Sequence, residues 1–189
     1  IGIIGDQDHI RSILNETILN IIALHSSEEV KLVLITPPKQ AHYFEIFKNV
    51  PHIWSNDKKV RFFASNPDEV HYVFNILNDV FKQRESADRS MKPIPHYVVV
   101  VTEPNLIEKE ALLRYLNDAD NQVGVTTLFA YGDITKLPKT CKTIVLSDDT
   151  RTGYYIKNKN ANKFIEFTLD ELNADHVYSF VNKLSQLPI

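Results

Sequence analysis

A chain of 189 residues, 43% hydrophobic and 24% charged, is long enough for one α/β domain with a real core. It is too short for two comfortable domains and too apolar for long disorder. A net charge of -3 offers no basic face for nucleic acid, and a single cysteine, Cys141, excludes an internal disulfide and fits a reducing compartment.

Ile1-Gly2-Ile3-Ile4 reads as a short apolar strand. The chain opens inside that strand without a methionine, so a piece excised from a larger protein is expected. No apolar run approaches membrane-spanning length. Ile10, Ile13, Leu14, Thr17, Ile18, Ile21 and Ile22 recur at helical spacing and predict a helix over about 7–24. Lys31 to Ile35 is a buried type of strand, stopped by Pro37-Pro38. A short aromatic helix is predicted from Ala41 to Lys48, followed by a loop through Trp54 and a strand from Val60 to Ala64.

Asn66-Pro67-Asp68-Glu69 combines a cap, a proline and first-turn acids, and starts a helix over 67–85. Val70, Val73, Phe74, Leu77 and Phe81 form one apolar stripe of that helix. Tyr72, Ile76 and Val80 form a second, so the helix is expected to pack on two sides. After a polar loop over 84–96 come strand 97–101, helix 106–117, strand 123–130 and strand 142–146. This alternation predicts an α/β, three-layer fold with a mostly parallel sheet. Gly153–Ile156 and Phe164–Thr168 predict an antiparallel hairpin, and a final helix is expected over Ala174–Leu184.

The first strand runs into Gly5-Asp6-Gln7-Asp8-His9-Ile10-Arg11-Ser12, which has the frame of the phosphate loop G-x-x-x-x-G-K-[ST]. Ile10 stands at the second glycine, where a β-branched side chain obstructs the wrap around phosphate. Arg11 keeps the positive charge without the point-charge reach of lysine. Ser12 retains the hydroxyl that would meet magnesium. Asp6 and Asp8 oppose phosphate and suit helix capping. In phosphate-loop ATPases a second buried strand ends in a metal-holding acid, often followed by a glutamate that orients water. Here Thr102 takes the acid position and Glu103 the next one. Both halves lack catalytic charge, which predicts a degenerate P-loop NTPase-like fold with impaired or absent hydrolysis, and with ATP and Mg binding in doubt.

The seven histidines (9, 25, 42, 52, 71, 96 and 176) have no metal-ligand spacing, and with one cysteine no metal box is expected. His52 and His96 read as structural. Lys157, Lys159 and Lys163 make the hairpin turn basic, either as a solvated turn or as a dock for an acidic partner surface.

Several stretches, in order, carry a family resemblance. They are Ile-Gly-Ile-Ile-Gly-Asp at 1–6, Leu-His-Ser-Ser-Glu-Glu-Val-Lys-Leu-Val-Leu-Ile at 24–35 and Phe-Lys-Asn-Val-Pro-His-Ile-Trp-Ser-Asn-Asp at 47–57. Pro-His-Tyr-Val-Val-Val-Val at 95–101, Val-Gly-Val-Thr-Thr-Leu-Phe at 123–129 and Leu-Pro-Lys-Thr-Cys at 137–141 complete the series. The chain resembles the ATPase-like domain of the EssC/EccC (YukB) family, the FtsK-like membrane coupling proteins of type VII secretion. The resemblance implies one domain over 1–189, excised from a membrane-anchored, multi-domain parent at the cytoplasmic face of the membrane. It implies partners among the other domains and subunits of an oligomeric machine, and exported WXG-type proteins. The function expected is a module linking the membrane anchor to the motor domains, with weak or no hydrolysis of its own. The alternatives are a slowly hydrolysing regulatory site, with Ser12 on magnesium, Arg11 near phosphate and Glu103 near water, and a substrate-recognition surface.

Overall fold

The structure is a computed structural model that describes residues 1–87, 92–147, 152–156, 164–170 and 172–187. Eight strands form one sheet: β1 (Gly2–Ile4), β2 (Val30–Ile35), β3 (Phe63–Ala64), β4 (His96–Val101), β5 (Val125–Tyr131), β6 (Ile144–Ser147), β7 (Thr152–Ile156) and β8 (Ile165–Thr168). Their order across the sheet is β3-β2-β4-β5-β1-β6-β7-β8. The first six are parallel, and β7 and β8 close one edge as the expected antiparallel hairpin. The basic turn at Lys157, Lys159 and Lys163 lies outside the described residues.

Strand side chains alternate between faces, and two cores follow from that parity. Leu32, Leu34, Val98, Val100, Leu128 and Ala130 meet the buried stripe of α1 (Gln7–Leu24) and the fully buried Val181 of α5 (Ala174–Ser185). Val33, Ile35, Tyr97, Val99 and Val101 meet α3 (Pro67–Glu85) through Val70, Val73, Phe74, Leu77 and Phe81. The result is three layers, as the alternation requires. The second stripe of α3 packs only partly: Ile76 and Val80 are half-buried and Tyr72 is 58% exposed.

Three elements depart from expectation. The aromatic helix begins earlier, as α2 (Pro38–Ala41), and tightens into a 3₁₀ segment over His42–Asn49. Three residues per turn places Phe44 and Phe47 one above the other, and both are buried. The strand expected from Val60 shrinks to β3, because a second 3₁₀ turn, Pro51–Ile53, lies against β2 and a Trp54–Arg61 bridge precedes it. Helix 106–117 is replaced by a 3₁₀ turn at Pro104–Leu106 and a single turn, α4 (Leu113–Leu116). On one continuous helix Ile107 and Leu112 would point about 140° apart. The broken course buries both.

Candidate functional site

The parallel strands deliver their C-terminal ends to one side of the sheet, where β5 separates β1 from β4. Chain direction reverses there: β1 leads out to β2, while β6 returns to the other flank of β1. Open α/β sheets form ligand crevices at such a place. A cleft of about 240 Å³ occupies it. Five of the candidate residues line this cleft: Gln7, Ile10, Arg11, Thr102 and Glu103. His9 and Ser12 line a different groove, on the α5 side of α1, and Arg11 borders both.

Local structure explains this division. Only Gly5 and Asp6 separate β1 from α1, so Gln7 to Ser12 are helical rather than looped. Asp6 caps the helix, its carboxylate accepting from the His9 N–H at 2.9 Å and pairing with the His9 ring at 3.1 Å. Asp8 adds charge to the first turn and holds the Arg11 guanidinium at 3.2 Å. Arg11 also lies over the Tyr43 ring, 4.7 Å from its centroid. Ile10 is buried in the core beneath. Gly5 is a glycine for packing: a Cβ there would sit 3.3 Å from Ser147 Cβ on the neighbouring strand.

Just past β4 the Thr102 hydroxyl donates to Thr36 Oγ1 at 3.0 Å, and its N–H donates to the Ile35 carbonyl at 3.0 Å. Glu103 caps the Pro104–Leu106 turn by accepting from the Asn105 N–H at 3.3 Å. The rest of the wall comes from residues that no motif marks, including Gln40 of α2, Tyr43 of the 3₁₀ segment 42–49, Tyr131 at the end of β5, and Asp133 and Lys136 just beyond it. Asp133 accepts from both the N–H and the hydroxyl of Thr135 at 2.8 Å, bonds that hold its carboxyl below the usual range. Burial, with the Cys141 thiol and the Glu103 and Glu108 carboxylates adding to it, pushes the Tyr131 phenol up, so it stays a neutral donor. The only sequence signal for these residues is the polar Gly132-Asp133 step where β5 ends.

His96 and His52 both have structural partners. His96 Nε2 lies 2.9 Å from Thr126 Oγ1, and His52 Nε2 lies 2.8 Å from the His25 carbonyl. Among the described residues no helix is long and apolar enough to cross a membrane, and no group of three His, Cys, Asp or Glu side chains is placed to hold a metal.

No protein-family model matches the chain. Among curated proteins it is 22% identical over 189 residues to the ESX secretion system protein EccC of Geobacillus thermodenitrificans, covering 99% of this chain and 13% of that protein. It is 23% identical over 186 residues to the type VII secretion system protein EssC of Staphylococcus aureus, covering 94% of this chain and again 13% of the relative. The chain thus spans about an eighth of these relatives. Among solved structures it superposes on EssC (ATPases 2 and 3) of Geobacillus thermodenitrificans with a TM-score of 0.67 and 11% identity, over 98% of this chain and 42% of that one. Thermomonospora curvata EccC (ATPases 2 and 3), solved in complex with a signal sequence peptide, gives 0.62 and 12% over 90% of this chain and 37% of its own. The sequence matches run along almost the whole chain and the solved domains share its fold, so the chain is similar to one domain-sized stretch of the EssC/EccC proteins of type VII secretion.

Proposed function

We propose that this domain is a nucleotide-independent, ATPase-fold module of a type VII secretion coupling protein, acting as a packing element between the parent's membrane anchor and its motor domains. The observation that carries this reading is the Asp6 cap. A phosphate loop leaves the first N–H groups of its helix free for an anion. In this chain a carboxylate takes an N–H of α1 at 2.9 Å. The remaining frame points the same way: Ile10 is core, Thr102 is bonded to Thr36, Ser12 faces another groove, and Arg11 is held by Asp8. This donor set does not fit a magnesium–nucleotide group, and no catalytic step is assigned to it. The half-exposed outer stripe of α3, with the exposed Tyr72 at its N-terminal end, is the surface offered to neighbouring domains. Type VII substrates, an oligomeric parent and a place at the cytoplasmic face of the membrane belong to this proposal through the family.

Calorimetric titration of the chain with Mg-ATP, beside Arg11→Ala, tests it. No saturable heat is expected up to millimolar ATP, and phosphate release should be equal in the wild type and Glu103→Gln. Saturable binding weakened by Arg11→Ala would overturn the reading and make nucleotide a regulator of the domain.

A further inference from the structure

β3 is entered through a tight turn, 55–60, at the edge of the sheet and outside both the cleft and the groove described above. The turn is held by its own polar groups. The Ser55 N–H donates to the Val60 carbonyl at 2.8 Å, the Ser55 hydroxyl to Asp57 Oδ1 at 2.6 Å, and the Lys58 N–H to the Ser55 carbonyl at 2.9 Å. Trp54 and Arg61 flank the turn as an antiparallel bridge, and the Arg61 guanidinium lies over the indole, 4.5 Å from the ring centroid. Two residues beyond Arg61, the Phe63 ring carries Lys48 Nζ 4.6 Å from its centroid.

Among the described residues Lys58 is the one non-glycine residue with positive φ, +56°. An L side chain is strained there and glycine is not. Glycine would serve the backbone of the turn equally well, so the strain is kept for the side chain. Lys58, Lys59 and Arg61 are exposed. Lys59 pairs with Asp57 at 3.5 Å and Lys48 with Glu45 at 2.9 Å, whereas Lys58 and Arg61 have no acid partner among the described residues. In a chain of net charge -3, two unmatched cations beside a half-buried tryptophan are a local excess of positive charge. A lysine that only guards a sheet edge against pairing needs no fixed pose. A guanidinium stacked on an indole keeps its edge N–H groups free and aimed for a carboxylate.

The spacing of these charges selects the partner. Nucleic acid carries about one charge per 1.7 Å of helix axis, and anionic membranes recruit clusters of roughly four to eight Lys or Arg. Either would also press negative charge onto Asp57 and Glu45, which stand among these cations. A protein surface can match charge on the scale of single side chains. We infer that the Trp54–Arg61 turn docks an acidic patch of a partner protein. One carboxylate of that patch meets Arg61, a second meets Lys58, and an apolar side chain between them covers the open part of the Trp54 ring. Lys58 is a binding residue, kept where glycine would suit the fold better.

Trp54 is the only tryptophan of the chain, so its emission reports on this site directly. The whole 189-residue chain is titrated with synthetic peptides that carry a glutamate pair beside a leucine and no aromatic residue, and the emission is followed. A saturable change that weakens as salt rises is expected, and none with peptides in which glutamine replaces glutamate. Lys58→Glu and Arg61→Glu should each weaken binding about tenfold or more. Lys58→Gly separates binding from folding: it should bind more weakly than the wild type while melting at the same temperature or higher. Emission unmoved by the glutamate peptides, an equal response to the glutamine ones, a response confined to a single-stranded oligonucleotide or to phosphatidylserine vesicles, or full binding by Lys58→Gly would each overturn the inference.

Discussion

His52 donates from Nε2 to the carbonyl of His25 at 2.8 Å, and its other ring nitrogen is buried with no partner. The bond ties the Pro51–Ile53 turn to the end of α1, along the part of β2 that the short β3 leaves uncovered. Beside it lies the buried Lys31, whose Nζ donates to the Pro51 carbonyl at 3.4 Å. A protonated His52 would place a second positive charge there with nothing to receive it.

Acid should therefore weaken the fold before the carboxylates titrate. Burial, and secondarily the Lys31 and His25 charges, hold the His52 imidazole below its ordinary 6.5. As pH falls through 6.5, the unfolded chain takes a proton that the folded chain refuses, so stability declines until the lower folded value is reached. His96 contributes with the same sign, lowered by burial and by Arg84. Urea midpoints measured from neutral pH downward should show this slope, and His52→Gln should reduce it to the share left by His96. An unchanged slope in that variant would refute the assignment.

Lys31→Met should stabilise the domain. A buried ammonium with one long hydrogen bond gives up much hydration for little return. Replacing buried charge with an apolar side chain of similar length is expected to be neutral or to add roughly 1–4 kcal/mol. The same change should flatten the acid slope, because Lys31 opposes the charging of His52. Equilibrium unfolding of the two single variants and the double variant would measure that coupling.

Restoring the phosphate-loop glycine should damage the fold. Ile10 is 7% exposed inside α1, so Ile10→Gly removes a core side chain and adds glycine to a helix interior. The expected cost is about 3–5 kcal/mol. Thermal melting would show it, and no gain in ATP hydrolysis should accompany it.

Gly124→Ala should cost about 1–3 kcal/mol through backbone strain. Gly124 has φ of +77°, and a Cβ there would come within 2.9 Å of Pro93 Cγ and 3.1 Å of Arg84 Nη1. Its carbonyl accepts from the Tyr97 N–H at 2.8 Å, so the strain would reach the start of β4. Urea unfolding would measure it.

The sequence was most legible where one periodicity acts alone. The α1 stripe, the Asn66 cap of α3 and the hydrophobic β4 were all readable from local pattern. What it hid were responses to neighbours. Ile107 and Leu112 had to reach the same core, and only the sheet beside them showed that a continuous helix would separate them. The aromatic segment after β2 read only as a short helix and a loop, yet Phe44, Phe47 and Ile53 are buried in the core that β2 and α1 share. At the cleft, Arg11, Thr102 and Glu103 were visible because motif spacing marks them. Tyr43 arrives from the 3₁₀ segment after β2, and Tyr131 and Lys136 from the end of β5 and the turn beyond it, and they have no spacing to betray them. The position of Ser12 was hidden for a related reason. Helical geometry from Gln7 onward, rather than residue type, turns it toward α5.

Asp6 gives the helix it caps a particular kind of constancy. A soluble anion binds in proportion to its concentration, whereas a carboxylate one residue from the helix is tethered, with an effective concentration on the order of millimolar or above. Any phosphate arriving at α1 competes with a ligand that never diffuses away. The start of α1 is thus held in the same way whatever the concentration of free anions around it.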